Sequence, residues 1–198
     1  MILSKADRTK QFIIEKTAPI FNEKGFLGTS MSDILEATGL SKGCVYGNFE
    51  NKDEIALAAF DENYNTIVAY LRKQIEVRPN MIDRLLVYPE TYRKFLELPF
   101  LKAGCPILNT STEADDTHPL LRQKAITALN FWKKAIEKSI ATGIERKEIK
   151  ASTNANEFSY ILMSLIEGAM MQSKVTGSSE ALVVTMKYLE EMIKNLKE

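Results

Sequence analysis

Residues 31–49 read MSDILEATGLSKGCVYGNF, and the way this stretch folds decides the rest. It divides into one helix, a corner at Gly39 and Leu40, and a second, very short helix that Ser41 opens. Gly39 supplies a positive φ at little cost. Ile34, Leu40, Val45 and Phe49 fall where two such helices pack against each other and against Phe21. The spacing predicts the short helix over about residues 42–48, with Gly43 and Gly47 inside it. A glycine within a helix costs about 1 kcal/mol relative to alanine. Each glycine therefore admits something close to the backbone, either a packing helix or a body from outside.

Working outward, a first helix over about 5–24 places Phe12, Ile13, Thr17, Ile20 and Phe21 on one face and stops before Gly25, a left-handed terminator. Ser30, three residues before Asp33, forms a capping box for the next helix. Asn51 and Glu54 form another, opening a long helix that reaches about Ile75. Pro79, Pro89, Pro99, Pro106 and Pro119 cut the middle of the chain into shorter helices, with an irregular stretch at about 99–118. Pro119 opens a helix running to Gly143, with Leu121, Ala125, Ala128, Leu129, Trp132 and Ile136 at helical spacing. Runs of alternating β-branched residues bounded by hairpin turns do not occur, so the fold class is all-α.

The last two helices differ in character. Phe158–Met171 is apolar on most sides and includes Tyr160, Ile161, Met163, Leu165 and Met170. Such a helix must be covered nearly all round. The terminal helix repeats Leu182, Met186, Leu189, Ile193 and Leu196 at heptad-like steps. These helices either belong to the core of one chain or pair with a second copy as a four-helix bundle.

In the 198 residues, 26 Lys and Arg balance 26 Asp and Glu, so a polyanion partner would need a local patch. A hydrophobic content of 45% excludes a disordered chain. Two cysteines, Cys44 and Cys105, are too few for a disulfide framework, and neither a signal peptide nor a membrane span is legible. The expected setting is cytoplasmic, which leaves the Asn109-Thr110-Ser111 sequon idle.

The local patch lies at the helix starts. Lys42 and Lys52 occupy first-turn positions, where the helix dipole disfavours a cation by about 0.3–1 kcal/mol. A phosphate resolves the conflict, because free amides at a helix start and an adjacent lysine make a joint anion site. Bare backbone at Gly43 would then let the helix approach a nucleic-acid strand.

Phe21, Gly25, Thr29, Ser30, Ile34, Gly39, Ser41, Gly43, Tyr46, Phe49 and Lys52 stand in an order and spacing that resembles the DNA-binding segment of the TetR/AcrR family of bacterial transcriptional repressors. The resemblance implies an N-terminal three-helix helix-turn-helix domain, 1–50, and a larger helical ligand-binding and dimerisation domain, 51–198. It implies no enzymatic activity and no cofactor. It further implies that Thr29 or Ser30, Ser41, Lys42, Tyr46 and Lys52 contact phosphates, with Lys42, Gly43, Cys44 and Gly47 facing the groove floor. Cys44 stands where threonine is frequent, and Gly47 with Asn48 where bulkier residues are common. The Asn48 amide suits a phosphate or an adenine edge.

His118 is the sole histidine, and beside Asp115, Asp116 and Pro119 it reads as a helix start; no catalytic pair or metal site is legible. Gly25–Gly28 matches the GxxG of an RNA-binding loop without the strands that such a domain needs. Tyr64, Tyr88, Tyr92, Phe95, Phe131, Trp132, Tyr160, Met163 and Met170 suit either a pliable apolar pocket or plain core. Cys105, between Gly104 and Pro106, resembles the Gly-Cys pair of a family subset that includes sensors of electrophiles or oxidants. Lys174 is a candidate neighbour that would favour its thiolate.

The expected protein is thus a ligand-responsive repressor, a homodimer on a near-palindromic double-stranded DNA operator, with Ile161, Leu165, Leu182, Met186, Leu189 and Ile193 at the dimer seam. Its release would follow capture of a small apolar effector or modification of Cys105, through a hinge at Lys52–Tyr64. The alternatives are a helical small-molecule carrier or a transcriptional activator using the same DNA contacts.

Overall fold

A computed structural model describes residues 4–198. The first three residues of the expected N-terminal domain lie outside the described residues. Among the described residues there are nine helices: α1 Lys5–Gly28, α2 Met31–Thr38, α3 Lys42–Tyr46, α4 Lys52–Glu76, α5 Met81–Arg93, α6 Pro106–Ala114, α7 Pro119–Glu145, α8 Ala155–Thr176 and α9 Glu180–Lys194. An isolated antiparallel bridge joins Ile149 and Lys197. The all-α expectation holds.

The chain folds as two compact units. One runs to Thr66 and takes in Cys105–Ile126; the other comprises Ile67–Gly104 and Thr127–Glu198. The expected boundary at 50/51 falls instead just before an unbroken helix, α4, which stays with the first unit as far as Thr66.

The core of the first unit is built from Ile13, Ala18, Phe21, Ile34, Val45, Phe49, Ile55 and Ala59, with Leu40 packed at its edge. Val45 and Phe49 anchor α3, each contributing about 1.5–3 kcal/mol by leaving water. Phe12 is not part of this core; it is exposed, with the Lys16 ammonium 5.7 Å from its ring centre.

Two segments depart from the expected middle of the chain. Pro89 lies inside α5 rather than ending it. The stretch expected to be irregular contains α6, which starts with Pro106 in its first turn and is held to α1 by long-range bonds: the Asn109 amide donates to the Asn22 carbonyl (3.0 Å) and side-chain oxygen (2.9 Å). Tertiary bonds here outweigh a sequence, NTSTEA, with modest helix propensity.

In the second unit α9 packs on α5 and α8. Leu182, Met186, Leu189 and Ile193 are buried within the protomer, so the heptad-like seam serves this chain's own core and not a partner. The outward apolar residues lie one step round the same helices: Ile161 and Met171 on α8, Val184 and Tyr188 on α9, with Leu165 half-buried. None of the described helices is long and apolar enough to cross a membrane.

Candidate functional site

The start of α2 is fixed by the expected box. Ser30 Oγ accepts from the Asp33 amide (3.1 Å), and an Asp33 carboxylate oxygen accepts from the Ser30 amide (2.7 Å). Lys24 donates to Asp33 at 2.6 Å. That bond, followed by the two from Ser30, holds the Asp33 carboxyl well below the usual carboxylate range and raises Lys24 in return. Ser30 is exposed. Thr29 is not: it is fully buried, and its hydroxyl donates to the Gly25 carbonyl at 2.6 Å. Of the two candidates for a phosphate, only Ser30 presents its side chain at the surface.

The same logic of local caps builds α3. Ser41 Oγ accepts from the Cys44 amide at 3.3 Å. Ser41, Lys42, Gly43, Tyr46 and Gly47 are exposed, while Cys44 and Asn48 are half-buried. The Lys42 ammonium lies 5.7 Å from the centre of the Tyr46 ring. Asn48 donates to the Cys44 carbonyl at 2.8 Å, which fixes its side-chain amide against the helix. The two glycines now separate. A Cβ at Gly43 would meet nothing within 4 Å, so helix packing does not require this glycine. A Cβ at Gly47 would lie 3.2 Å from the Gly43 carbonyl oxygen, so packing within the short helix accounts for part of that one.

Lys52 departs from a simple surface cation. Its ammonium donates to the carbonyls of Phe26 (2.8 Å) and Thr29 (3.0 Å) and lies 4.1 Å from the centre of the Phe26 ring. Asn51 caps α4 as expected, accepting from the Glu54 amide at 2.9 Å. The Glu54 carboxylate reaches instead to Lys10 (2.8 Å) and the Glu50 amide (2.9 Å), and these bonds lower its pKa.

The turn that Lys52 grips is also held from its far side. Gly25 interrupts α1 with φ +74° and ψ 177°. The amides of Phe26 and Leu27, freed by that break, donate to the two carboxylate oxygens of Glu113 on α6, each at 2.8 Å. His118 packs edge-on against Phe26, with ring centres 4.6 Å apart, and its Nδ1 accepts from the Leu121 amide at the start of α7. Sequence reasoning missed Glu113 and Asn109, since both lie in the stretch expected to be irregular. The one local trace was Gly25, whose φ was anticipated and whose partner was not.

The effector-site candidates divide between the two units. In the first, Cys105 caps α6 and is 1% exposed, and the Tyr64 hydroxyl is pushed up to about 12 by burial and then by the charge of Cys105. In the second, Tyr88, Tyr92, Phe95, Trp132, Met163 and Met170 are buried. Trp132 stacks against Tyr92, with ring centres 6.0 Å apart, and lies 6.2 Å from Tyr88. Its buried indole N–H has no hydrogen-bond acceptor among the described residues. Phe131 and Tyr160 do not join this group: more than half of each is exposed, and Tyr160 lies under the Lys133 ammonium at 4.8 Å. Lys174 is an exposed residue in the last turn of α8.

Comparison with known proteins bears on both units. Residues 13–59 match the bacterial regulatory proteins of the tetR family, and residues 81–189 match the tetracyclin repressor-like C-terminal domain. A TetR-family transcriptional regulator from Cytophaga hutchinsonii has a similar structure, with a TM-score of 0.92 and 40% identity over 100% of this chain and 98% of that one. The HTH-type transcriptional repressor DhaR of Mycobacterium sp. strain GP1 is 25% identical over 87% of this chain and 86% of its own. The reduced form of Escherichia coli NemR shares the fold, with a TM-score of 0.83 and 20% identity over 96% of this chain and 97% of that one. A matched DNA-binding segment, a matched C-terminal domain and a close structural relative together show that this chain belongs to the TetR family of transcriptional regulators.

Proposed function

We propose that this regulator is a ligand-responsive repressor that binds a near-palindromic operator as a homodimer. The observation that carries the reading is α3. Its buried side holds Val45, with Phe49 buried just beyond its end, and its outward side offers Lys42, Tyr46 and the bare backbone of Gly43, for which the fold itself has no use. Ser30, Ser41, Lys42, Tyr46 and Lys52 supply the phosphate contacts, and α3 enters the major groove. A dimer presents two such helices to half-sites about one helical turn apart.

The second copy covers the outward face of α8 and α9, with Ile161, Leu165, Met171, Val184 and Tyr188. Gly168 supports this. It sits on α8, a Cβ there would meet nothing within 4 Å, and a glycine in mid-helix is unfavourable unless another helix comes close.

The effector occupies the neighbourhood of Trp132, Tyr88, Tyr92, Met163 and Met170, where the indole N–H offers a buried donor to an acceptor on an otherwise apolar molecule. Modification of Cys105 is a second route to release, and it fits the existence of a named reduced form of NemR. Footprinting on the DNA flanking its own gene tests the whole reading. Protection of two half-sites, lost on adding a thiol-alkylating reagent and retained in Cys105→Ser, is the expected result. Protection that ignores the reagent removes the thiol route, and no protection at low ionic strength removes the repressor reading.

A further inference from the structure

In the first unit, Glu113 of α6 reaches back to the break in α1. One carboxylate oxygen accepts from the Phe26 amide and the other from the Leu27 amide, each at 2.8 Å. The chain is shaped for this. Gly25 takes a conformation that only glycine adopts freely, and a Cβ there would come within 2.8 Å of the Glu113 carboxyl carbon. The turn so held is the one to which the proposed phosphate contacts of Ser30 and Lys52 belong. The carbonyls of Phe26 and Thr29 fix Lys52, the Thr29 hydroxyl closes on Gly25, and the next residue, Ser30, caps α2.

The carboxylate therefore fixes the geometry of the turn that leads into Ser30 and the start of α2. It comes from α6, a helix with no side-chain hydrogen bond at its N-cap and a sequence of modest helix propensity. Such a helix stays where its long-range bonds keep it. Eight residues before Glu113, at the N-cap of the same helix and about 12 Å away along its axis, stands the buried thiol of Cys105.

We propose that Glu113 is a positioning residue for operator binding: seated on the Phe26 and Leu27 amides it holds Ser30 and Lys52 in register for the phosphates, and displacement of α6 at its Cys105 end withdraws that support. The first half rests on the proposed phosphate contacts of Ser30 and Lys52, and the second on the reading of Cys105 as a modifiable site.

The test uses the full-length protein, with Cys105→Ser as the control in which only Cys44 is open to alkylation. Operator affinity is measured by fluorescence anisotropy on the footprinted duplex, and amide hydrogen exchange is followed at Phe26 and Leu27. In Glu113→Ala both amides exchange faster, and operator affinity falls about tenfold or more, since two bonds to a charged acceptor are lost. Glu113→Gln keeps one acceptor and lies between. Thermal midpoints are recorded alongside, and affinity measured well below the midpoint separates register from unfolding. Alkylating Cys105 with N-ethylmaleimide reproduces the Glu113→Ala loss and adds little to it in the Glu113→Ala protein.

Unchanged affinity with faster exchange in Glu113→Ala overturns the positioning role. Equal further loss on alkylating both proteins overturns the route through Glu113 and leaves the thiol reading standing. If the parent protein protects no duplex, the repressor reading fails instead; unchanged exchange at Phe26 and Leu27 in Glu113→Ala would then overturn the clasp on its own.

Discussion

Gly43→Ala should separate folding from function. The added methyl meets nothing within 4 Å in the protein, so it introduces no overlap. Alanine is favoured over glycine in a helix by about 1 kcal/mol at interior positions, and at the second residue of the five-residue α3 about half of that is a fair expectation. For a chain of this size, about 0.5 kcal/mol raises the thermal midpoint by about 1–2 °C. Binding should move the other way. If bare backbone at this position lies against the groove, a methyl group there displaces at least one close contact per half-site, worth about 1–3 kcal/mol. Two half-sites double it, so a dimer loses about 2–6 kcal/mol, which is thirtyfold at the low end. Differential scanning fluorimetry and operator titration on the same sample give both numbers. Equal operator affinity for the two proteins would refute the close-approach argument, and a lower thermal midpoint would show that the fold needs this glycine after all.

Gly25→Ala must lose stability, since its φ of +74° is unsuited to alanine and the new methyl evicts the Glu113 carboxylate; about 3 kcal/mol, or a fall of about 6–12 °C in thermal midpoint, is expected in a melting experiment. Gly168→Ala should leave the protomer folded, because the added methyl meets nothing within 4 Å in it, yet weaken dimerisation by overpacking worth about 1–3 kcal/mol; sedimentation equilibrium reads the change, and an unaltered dimer would move the interface elsewhere. Asp33 has its carboxyl pKa lowered in the fold by Lys24 and Ser30. Its stabilising effect is therefore complete above the ordinary value of 3.8 and is lost as the pH falls through the lower native one. The gap in melting temperature between the parent protein and Asp33→Asn should be widest near neutrality and close on acidification, and a gap independent of pH would contradict the bridge.

The parts of this fold that sequence makes legible are those decided by neighbours along the chain. Ser30, Ser41 and Asn51 cap α2, α3 and α4 because a short oxygen-bearing side chain can reach an amide three residues on, whatever the rest of the protein does. Gly39 turns the corner for the same kind of reason. The misreadings have a different origin. In α6 the local chemistry of Pro106-Ile107-Leu108-Asn109-Thr110 suggests a loop, and the bonds that make it a helix lead to residues 22, 26 and 27, 86 or 87 positions earlier. The period of Leu182, Met186, Leu189 and Ile193 announces one apolar stripe on α9 but not whether a sister helix of the same chain or of a second copy lies against it. Thr29 and Ser30 carry equivalent hydroxyls one residue apart, and only the turn of the backbone at Gly25 decides which is spent indoors.

Lys52 carries a consequence for recognition thermodynamics. A solvated lysine samples many rotamers, and ordering one when a complex forms takes up to about 2 kcal/mol. Here two carbonyls and an aromatic face have already stopped the rotor, so a phosphate docking at this turn meets an ammonium that has little freedom left to surrender. Association through this contact should thus show a smaller entropic penalty than association through Lys42, held only by the more distant Tyr46 ring at 5.7 Å, a difference that calorimetry on the two alanine variants can resolve.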